Sequence, residues 1–444
     1  MLGKQASRQL RSRLRLCKNS LTFRQYKLMK QANTSVILII PSASYRTSPF
    51  MDAVSKLELK VLVLTDKSQV FSRNYPDKVI TMNFENWRVQ IENIREWSVK
   101  HDLQAVVGVD EESIVLAARL SEILGLKHNS LESVKLTKDK FLMRKALKDA
   151  GLKVPWFKRF SVHQAPQEYL KEISFPCILK PTFLSASQGV VRANNPDEYC
   201  RGVEMLSKLL AQAEVIKRGG EQANWLLVEE FLPGKEVSLE GIVSKGKLKE
   251  LAIFDKPETL DGPTFPETIL ITPTLLDKPL QESLLETAQT TVEALGIIKG
   301  PVHLEFRINK KGNFILECAA RSIGGLCTKV LEFKGGMSLE ELILRSALGR
   351  NIEKTNLSGT VKGVMMMPIK NKGILREFRG IEAALAVKGI TDLQITIKNG
   401  GNLEPLPEGG RYLGFIFAEG KDQKTVLKNL KNAWAKIEVV SDNI

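Results

Sequence analysis

His303-Leu304-Glu305-Phe306-Arg307, followed by Phe314-Ile315-Leu316-Glu317-Cys318-Ala319-Ala320-Arg321, is the most telling pattern in the chain. Each acid sits in an apolar, strand-like run, and Lys310-Lys311-Gly312-Asn313 between the runs reads as a hairpin turn. Glu305 and Glu317 are twelve residues apart, so pairing across that turn can put both carboxylates on one face. Like charges held side by side repel unless a cation intervenes. Magnesium takes one or two carboxylates and completes its shell with phosphate oxygens and water. An exposed hairpin with two outward carboxylates would carry the same letters. Arg321, sixteen residues past Glu305 and just before Gly324-Gly325, reduces the weight of that plainer reading. A cation there can stabilise charge on a transferring phosphoryl group.

Two stretches upstream suit phosphate chemistry. Ile178-Leu179-Lys180-Pro181 leads into Ser185-Ala186-Ser187-Gln188-Gly189-Val190. A lysine at a strand end before a small, flexible loop lets backbone N–H groups wrap phosphate oxygens. The spacing is not the P-loop consensus, and an ordinary hairpin loop is the commoner use of such a run. Leu227-Val228-Glu229-Glu230-Phe231-Leu232-Pro233-Gly234-Lys235-Glu236 is a strand turning through Pro-Gly with acids on both sides. It suits a hinge, where one acid accepts from an adenine amino group and another from ribose hydroxyls; a solvated turn is the alternative. Lys140 opens a helix from Asp139 to Ala150, stopped by Gly151 and Pro155.

The organisation is α/β throughout. Ser35 to Ile40, Lys60 to Leu64 and Ala105 to Val109 read as buried parallel strands. Helical spacing recurs at Phe50, Val54 and Leu57 and from Glu112 to Leu124, so residues 34–130 predict a doubly wound sheet. No G-x-G-x-x-G follows the first strand, and ligands are expected at the strand ends instead. Residues 131–355 predict two α+β subdomains, with short antiparallel strands over about 176–243. Helices are expected at Gln281 to Leu295 and Ser338 to Leu348, and a smaller α/β unit over 356–444. There is no internal repeat.

The bulk properties exclude several classes. At 444 residues the chain can bury two or three cores. No apolar run approaches the roughly 20 residues that span a bilayer, so no membrane role is expected. The net charge of +15 looks like a nucleic-acid signal until its distribution is read. Residues 1–32 hold nine Lys or Arg and no acid, and without them the charge is +6. The segment 1–33 therefore reads as a basic, disordered extension, a transit peptide, or upstream sequence from a wrong start, with Met29 a normal start just before the first strand. No nucleic-acid partner is expected. Cys17, Cys177, Cys200, Cys318 and Cys327 form no CxxC, which points away from zinc or a disulfide scaffold and toward the cytoplasm.

Taken in order, Lys140, Lys180, Glu229-x-Phe231-Leu232, Glu305 and Glu317-x-x-x-Arg321 resemble the ATP-grasp superfamily over roughly residues 35–440. Ser44-Tyr45-Arg46 with Pro49-Phe50, the 180–193 run, Asp261-Gly262-Pro263 and Cys318 to Gly325 are similar to the carboxylate–amine ligase branch. That branch includes L-amino acid (dipeptide) ligases and biotin-carboxylase-like folds. The resemblance implies a pre-ATP-grasp domain over 34–130, an ATP-grasp domain over 131–355 with a lid at about 176–243, and the C-terminal unit. It implies that Lys140 and Lys180 contact ATP phosphates beneath a loop containing Ser185, Ser187, Gly189 and Val190. Glu229, Glu230, Phe231 and Leu232 would hold adenine and Glu236 the ribose. Glu305 and Glu317 would ligate Mg2+, and Arg321 would stabilise the transition state. His303 matches a histidine near the substrate in dipeptide ligases, with a core histidine as the alternative. Many relatives have Glu-x-Asn where this chain has Ala319, so a second magnesium is not implied.

Tyr45, Arg46, Glu111, Lys256, Gly324 and Gly325 are the expected substrate contacts, an acid after Val109 being suited to an amino group. The expected activity is ATP- and Mg2+-dependent ligation of a small carboxylate to an amine through an acyl phosphate, by a chain that could pair as a homodimer. A purine-biosynthesis-like or biotin-carboxylase-like ligase and a non-catalytic ATP-binding regulator are the alternatives.

Overall fold

The computed structural model describes residues 34–67, 78–258, 260–352, 355–357 and 359–442. The basic extension expected over 1–33, Cys17 included, lies outside the described residues. Strands β1 (Ser35–Ile39), β2 (Lys60–Thr65), β3 (Val79–Thr81) and β4 (Leu103–Gly108) form a parallel sheet in the order β3-β2-β1-β4. Alternation along β1 sends Val36 and Leu38 toward Phe50 and Val54, and Ile37 and Ile39 toward Ile94, Leu116 and Leu120. Helices thus cover both faces, which is why the strands read as unbroken apolar runs. Loops at the strand ends, including Ser44-Tyr45 and Asp110 to Glu112, border the central cavity.

A second, antiparallel sheet has the order β5-β8-β6-β7, from β5 (Phe157–Ser161), β6 (Cys177–Pro181), β7 (Val191–Ala193) and β8 (Trp225–Glu230). The helix Pro196–Leu210 covers it, and Leu179, Val203, Leu206, Leu226 and Val228 make a core of its own. This subdomain is not the expected 176–243. It takes in Phe157–Ser161 and ends at Glu230, because the chain leaves it through Pro233-Gly234. Gly234 has φ +135°, and a Cβ there would lie 2.1 Å from the Ile308 carbonyl oxygen, so this crossing admits only glycine.

The largest sheet has eight strands. β13 (Gly312–Ala319), β12 (Lys299–Asn309), β9 (Lys235–Ser244), β10 (Lys247–Asp255) and β11 (Ile269–Thr272) run in that order, then Val361–Met367, Gly414–Gly420 and Ile390–Ile395. The last three belong to the expected separate C-terminal unit, yet they continue the ladder: Ile269 pairs with Met365 and Thr272 with Lys362. Only the small sheet of Gly373–Arg379, Asn402-Leu403 and Glu438–Asp442 is that region's own. On the central strands Val237, Leu239, Val302, Leu304 and Phe306 pack against Leu284, Ala288 and Val292 of the helix Lys278–Ala294 and against Met143 and Leu147 of the helix Lys140–Asp149. Each such side chain contributes about 1.5–3 kcal/mol by leaving water. Two-residue alternation then turns Glu236, Ser238 and Glu240, and His303, Glu305 and Arg307, to the opposite face. No helix of the described residues is long and apolar enough to cross a membrane.

Candidate active site

That opposite face is the floor of a cavity of about 350 Å³, walled by the first domain, the small sheet and the C-terminal strands. Glu305 and Glu317 are direct cross-strand partners, as the hairpin spacing requires. The register slips just after them, so Phe306 pairs with Ile315 and Leu316 is the extra residue. That bulge lets neighbouring Leu316 and Glu317 both reach the cavity wall.

Cations meet these acids from two sides. Asp139 caps the helix at Phe141 and Leu142, fixing Lys140 at its first position. The Lys140 ammonium donates to the Leu184 carbonyl at 2.7 Å and lies 3.1 Å from Glu317. The buried Lys256 ammonium touches Glu236 at 2.6 Å, Glu305 at 3.3 Å and also Glu267. Burial alone would lower the Lys256 pKa, but Glu236, Glu267 and Glu305 outweigh it and hold it well above the ordinary lysine value. Oxygens of Glu236, Glu267 and Glu305 lie within 4.8 Å of one another, a further grouping able to hold a cation. Hard carboxylate oxygens at Glu305 and Glu317, facing each other across the strands at the cavity, fit Mg2+ in donor type and number.

Lys180 belongs to a buried triad. Its ammonium is 2.6 Å from Glu229, whose other oxygen is 2.8 Å from Arg144 Nε. Burial is the largest influence on Glu229 and would raise it, yet Arg144 and Lys180 prevail and its pKa is lowered. For Lys180 burial prevails over the attraction of Glu229, and its pKa is lowered too. The Glu229 carboxylate is therefore committed, and the Phe231 N–H donates to the Pro176 carbonyl. Glu229, Glu230, Phe231 and Leu232 all border the cavity. Glu236 is likewise engaged, by Lys256 and by Arg307 at 2.7 Å.

In the 185–190 loop, expected to cover phosphate, Ala186 and Ser187 are both left-handed, at φ 55° each. This conformation costs a residue with a side chain roughly 1–3 kcal/mol and clusters at functional sites. Ser185, Ser187 and Val190 border the cavity; Gly189 does not, and its N–H donates to the Pro407 carbonyl at 2.8 Å. Arg321 does reach the cavity, held by Glu111 at 2.8 Å and by its own bond to the Ser322 carbonyl. Glu111, expected to meet a substrate amine, borders the cavity and orients this guanidinium.

His303 lies between two carboxylates: Nδ1 bonds Glu240, and Nε2 is 3.3 Å from Glu305. Burial would lower its pKa, but Glu240 and then Glu305 raise it to about 10, making it an imidazolium. Ala319 is its cross-strand partner. Arg46 corrects another expectation. It is buried away from the cavity and binds the Val109 carbonyl at 3.2 Å, Ser322 at 2.5 Å and Glu340 at 2.9 Å. It braces the first domain against the loop after Arg321. Tyr45, Gly324 and Gly325 border the cavity, whereas Lys256 is buried behind it, paired with Glu236, Glu267 and Glu305.

Residues 173–330 match the ATP-grasp domain family, and residues 365–442 match L-amino acid ligase C-terminal domain 2. The chain thus carries an ATP-grasp domain followed by an L-amino acid ligase C-terminal domain. The alanine–anticapsin ligase of Bacillus subtilis strain 168 is 26% identical to this ATP-grasp chain over 325 residues, 68% of each protein. An L-arginine-specific L-amino acid ligase of Bacillus subtilis is 23% identical over 300 residues, 66% of this chain and 70% of that one. In fold, the ATP-grasp chain superposes on the crystal structure of an L-amino acid ligase from Bacillus licheniformis with a TM-score of 0.76 at 21% identity, covering 92% of this chain and 99% of that one.

Several site residues of the ATP-grasp chain escaped the sequence reading. Arg144 stands one helical turn after Lys140, and Glu240 stands in the period-two series from Glu236, so both had a local signal. Glu267, Met366 and Tyr412 had none; tertiary folding brings them to the cavity.

Proposed function

We propose that this ATP-grasp chain ligates an amino acid or similar small carboxylate to an amine, using ATP and Mg2+ and passing through an acyl phosphate. The observation that supports it is the convergence of Lys140, Lys180 and Arg321 with the facing pair Glu305 and Glu317 on one cavity. A carboxylate is a poor electrophile at neutral pH. Transfer of the γ-phosphoryl group to a carboxylate oxygen releases ADP and leaves an acyl phosphate; attack by the amine then forms the C–N bond and expels phosphate. Lys140 and Lys180 bind phosphate oxygens, and the Ser185–Val190 loop covers them. Glu305 and Glu317 would hold Mg2+, which when bound neutralises phosphate charge. Arg321, fixed by Glu111, supplies positive charge where the acyl phosphate forms. Enclosure by the small sheet keeps water from the acyl phosphate.

The test is phosphate release with ATP, Mg2+ and pairs of amino acids, with the nucleotide product identified. ADP, together with 18O passing from the carboxylate into phosphate, is the expected result. AMP as product, or no 18O transfer during product formation, would overturn the acyl-phosphate route.

A further inference from the structure

The cavity has two chemically different ends. One holds Lys140, Lys180 and the 185–190 loop. The other, past Glu305, is walled by Tyr45, Cys327, Met366 and Tyr412. This apolar end is built around the fully buried Phe415. Tyr45 meets the Phe415 ring edge-on at 5.8 Å, Tyr412 lies at 6.1 Å, and Met366 is its partner across the strands. Gly325 closes the approach, since a Cβ there would come within 2.7 Å of the same ring. At the rim stands Glu267, one residue before Thr268, whose carbonyl accepts from the Met366 N–H.

Charge at this end is nearly, but not fully, balanced. Glu236 is shared by Lys256 and Arg307, and the His303 imidazolium by Glu240 and Glu305, so Glu236, Glu240, Glu267 and Glu305 meet three cations. An added ammonium finds a carboxylate at the rim; an added carboxylate finds repulsion. Tyr45, Cys327, Met366 and Tyr412 are uncharged, and with Glu267 taken by the ammonium an ionised side chain entering the chamber would lose water without gaining a partner.

Building on the ligase reading above, we infer that the amino acid seated beside Glu305 carries an apolar side chain, held by Tyr45, Cys327, Met366 and Tyr412, with its ammonium toward Glu267. Met366 limits the size of that side chain. This methionine is buried beside Phe415 and borders the cavity, so truncating its flexible side chain removes several heavy atoms from the chamber wall. A methylene in such a pocket is worth about 10–200-fold in discrimination.

The experiment is calorimetric titration of the full chain, loaded with Mg2+ and a non-hydrolysable ATP analogue, with L-leucine, L-phenylalanine, L-glutamate and L-lysine. Leucine or phenylalanine is expected to bind at least tenfold more tightly than glutamate and lysine. Met366→Ala is expected to move the phenylalanine-to-leucine affinity ratio up at least fivefold, and Met366→Phe to move it down. Equal or tighter binding of glutamate or lysine, no binding of any of the four, or an unmoved ratio in a variant that still binds the analogue would overturn the inference. If a variant fails to bind the analogue, the wild-type ranking alone decides. The ligase reading fails separately: a chain that binds leucine but never releases phosphate with any amino-acid pair sinks that reading and leaves this one standing.

Discussion

Replacing Glu229 by Gln keeps the shape of the triad and removes its only negative charge. Arg144 is then left with the Leu316 carbonyl at 2.8 Å, and Lys180 loses its 2.6 Å partner; both cations are buried. Breaking a buried pair from one side costs about 3–5 kcal/mol. Lys180 has an escape that Arg144 lacks, namely release of its proton, which from an ordinary value near 10.4 costs about 4–5 kcal/mol at pH 7. The two routes give the same size of loss. For a unit of 150–250 residues that lowers the unfolding midpoint by roughly 6–20 °C. The sign with pH follows from proton counting. The folded variant binds fewer protons at Lys180 than the unfolded chain does, so its stability should recover as pH rises from 7 toward 10, more steeply than in the wild type. ATP affinity should fall as well, since a neutral Lys180 no longer attracts phosphate. Scanning calorimetry at several pH values, with Glu230→Gln as a control at a half-exposed neighbour, measures all of this. A Glu229→Gln midpoint within about 2 °C of wild type with unchanged nucleotide affinity would refute the reasoning.

Other outcomes are expected from single sites. Glu305→Gln should leave the chain folded, because Lys256 keeps Glu236 and Glu267, but reduce phosphate release by about 10²–10³-fold; activity near wild type would remove Glu305 from the metal site. Gln188→Ala deletes the bond from Gln188 to the Glu408 carbonyl, and the KM for ATP should rise severalfold with little change in kcat. Burial would raise the Asp255 carboxyl, but Lys235, the Leu275 N–H, Gln423 and Thr274 hold it below its usual value. Its contribution is therefore present above the unfolded carboxylate pKa and lost as pH falls through the lower folded value. Asp255→Asn should cost about 1.5–3 kcal/mol at pH 7 and flatten the acid limb of the stability curve; an unchanged acid limb would count against it.

Much of the fold was legible because it rests on local periodicity. The β1 run, the helix opened by Lys140 and the hairpin joining Glu305 to Glu317 each lie within a short stretch whose pattern has one sensible reading. The eight-stranded sheet was not legible, because Ile269 finds Met365 nearly a hundred residues away and no local pattern marks the pairing. Arg46 misled for a related reason. A polar residue on a strand-end loop looks like a ligand contact until Glu340, on a distant helix, is known to take its charge. Glu229 and Glu236 both border the cavity, but the cations that occupy them, Arg144 and Arg307, come from other elements.

The shared ladder between β11 and Val361–Met367 bears on how this chain can be divided. A cut near residue 355 looks like a domain boundary in the sequence, yet it would strip Ile269–Thr272 of its neighbour and leave a row of unpaired amides flanked by buried isoleucine and leucine. Such an edge recruits strands from other molecules. The truncated piece should aggregate, and the two halves should refold together when co-expressed as separate polypeptides. Recombination with other ligases would likewise have to exchange both sides of that seam at once.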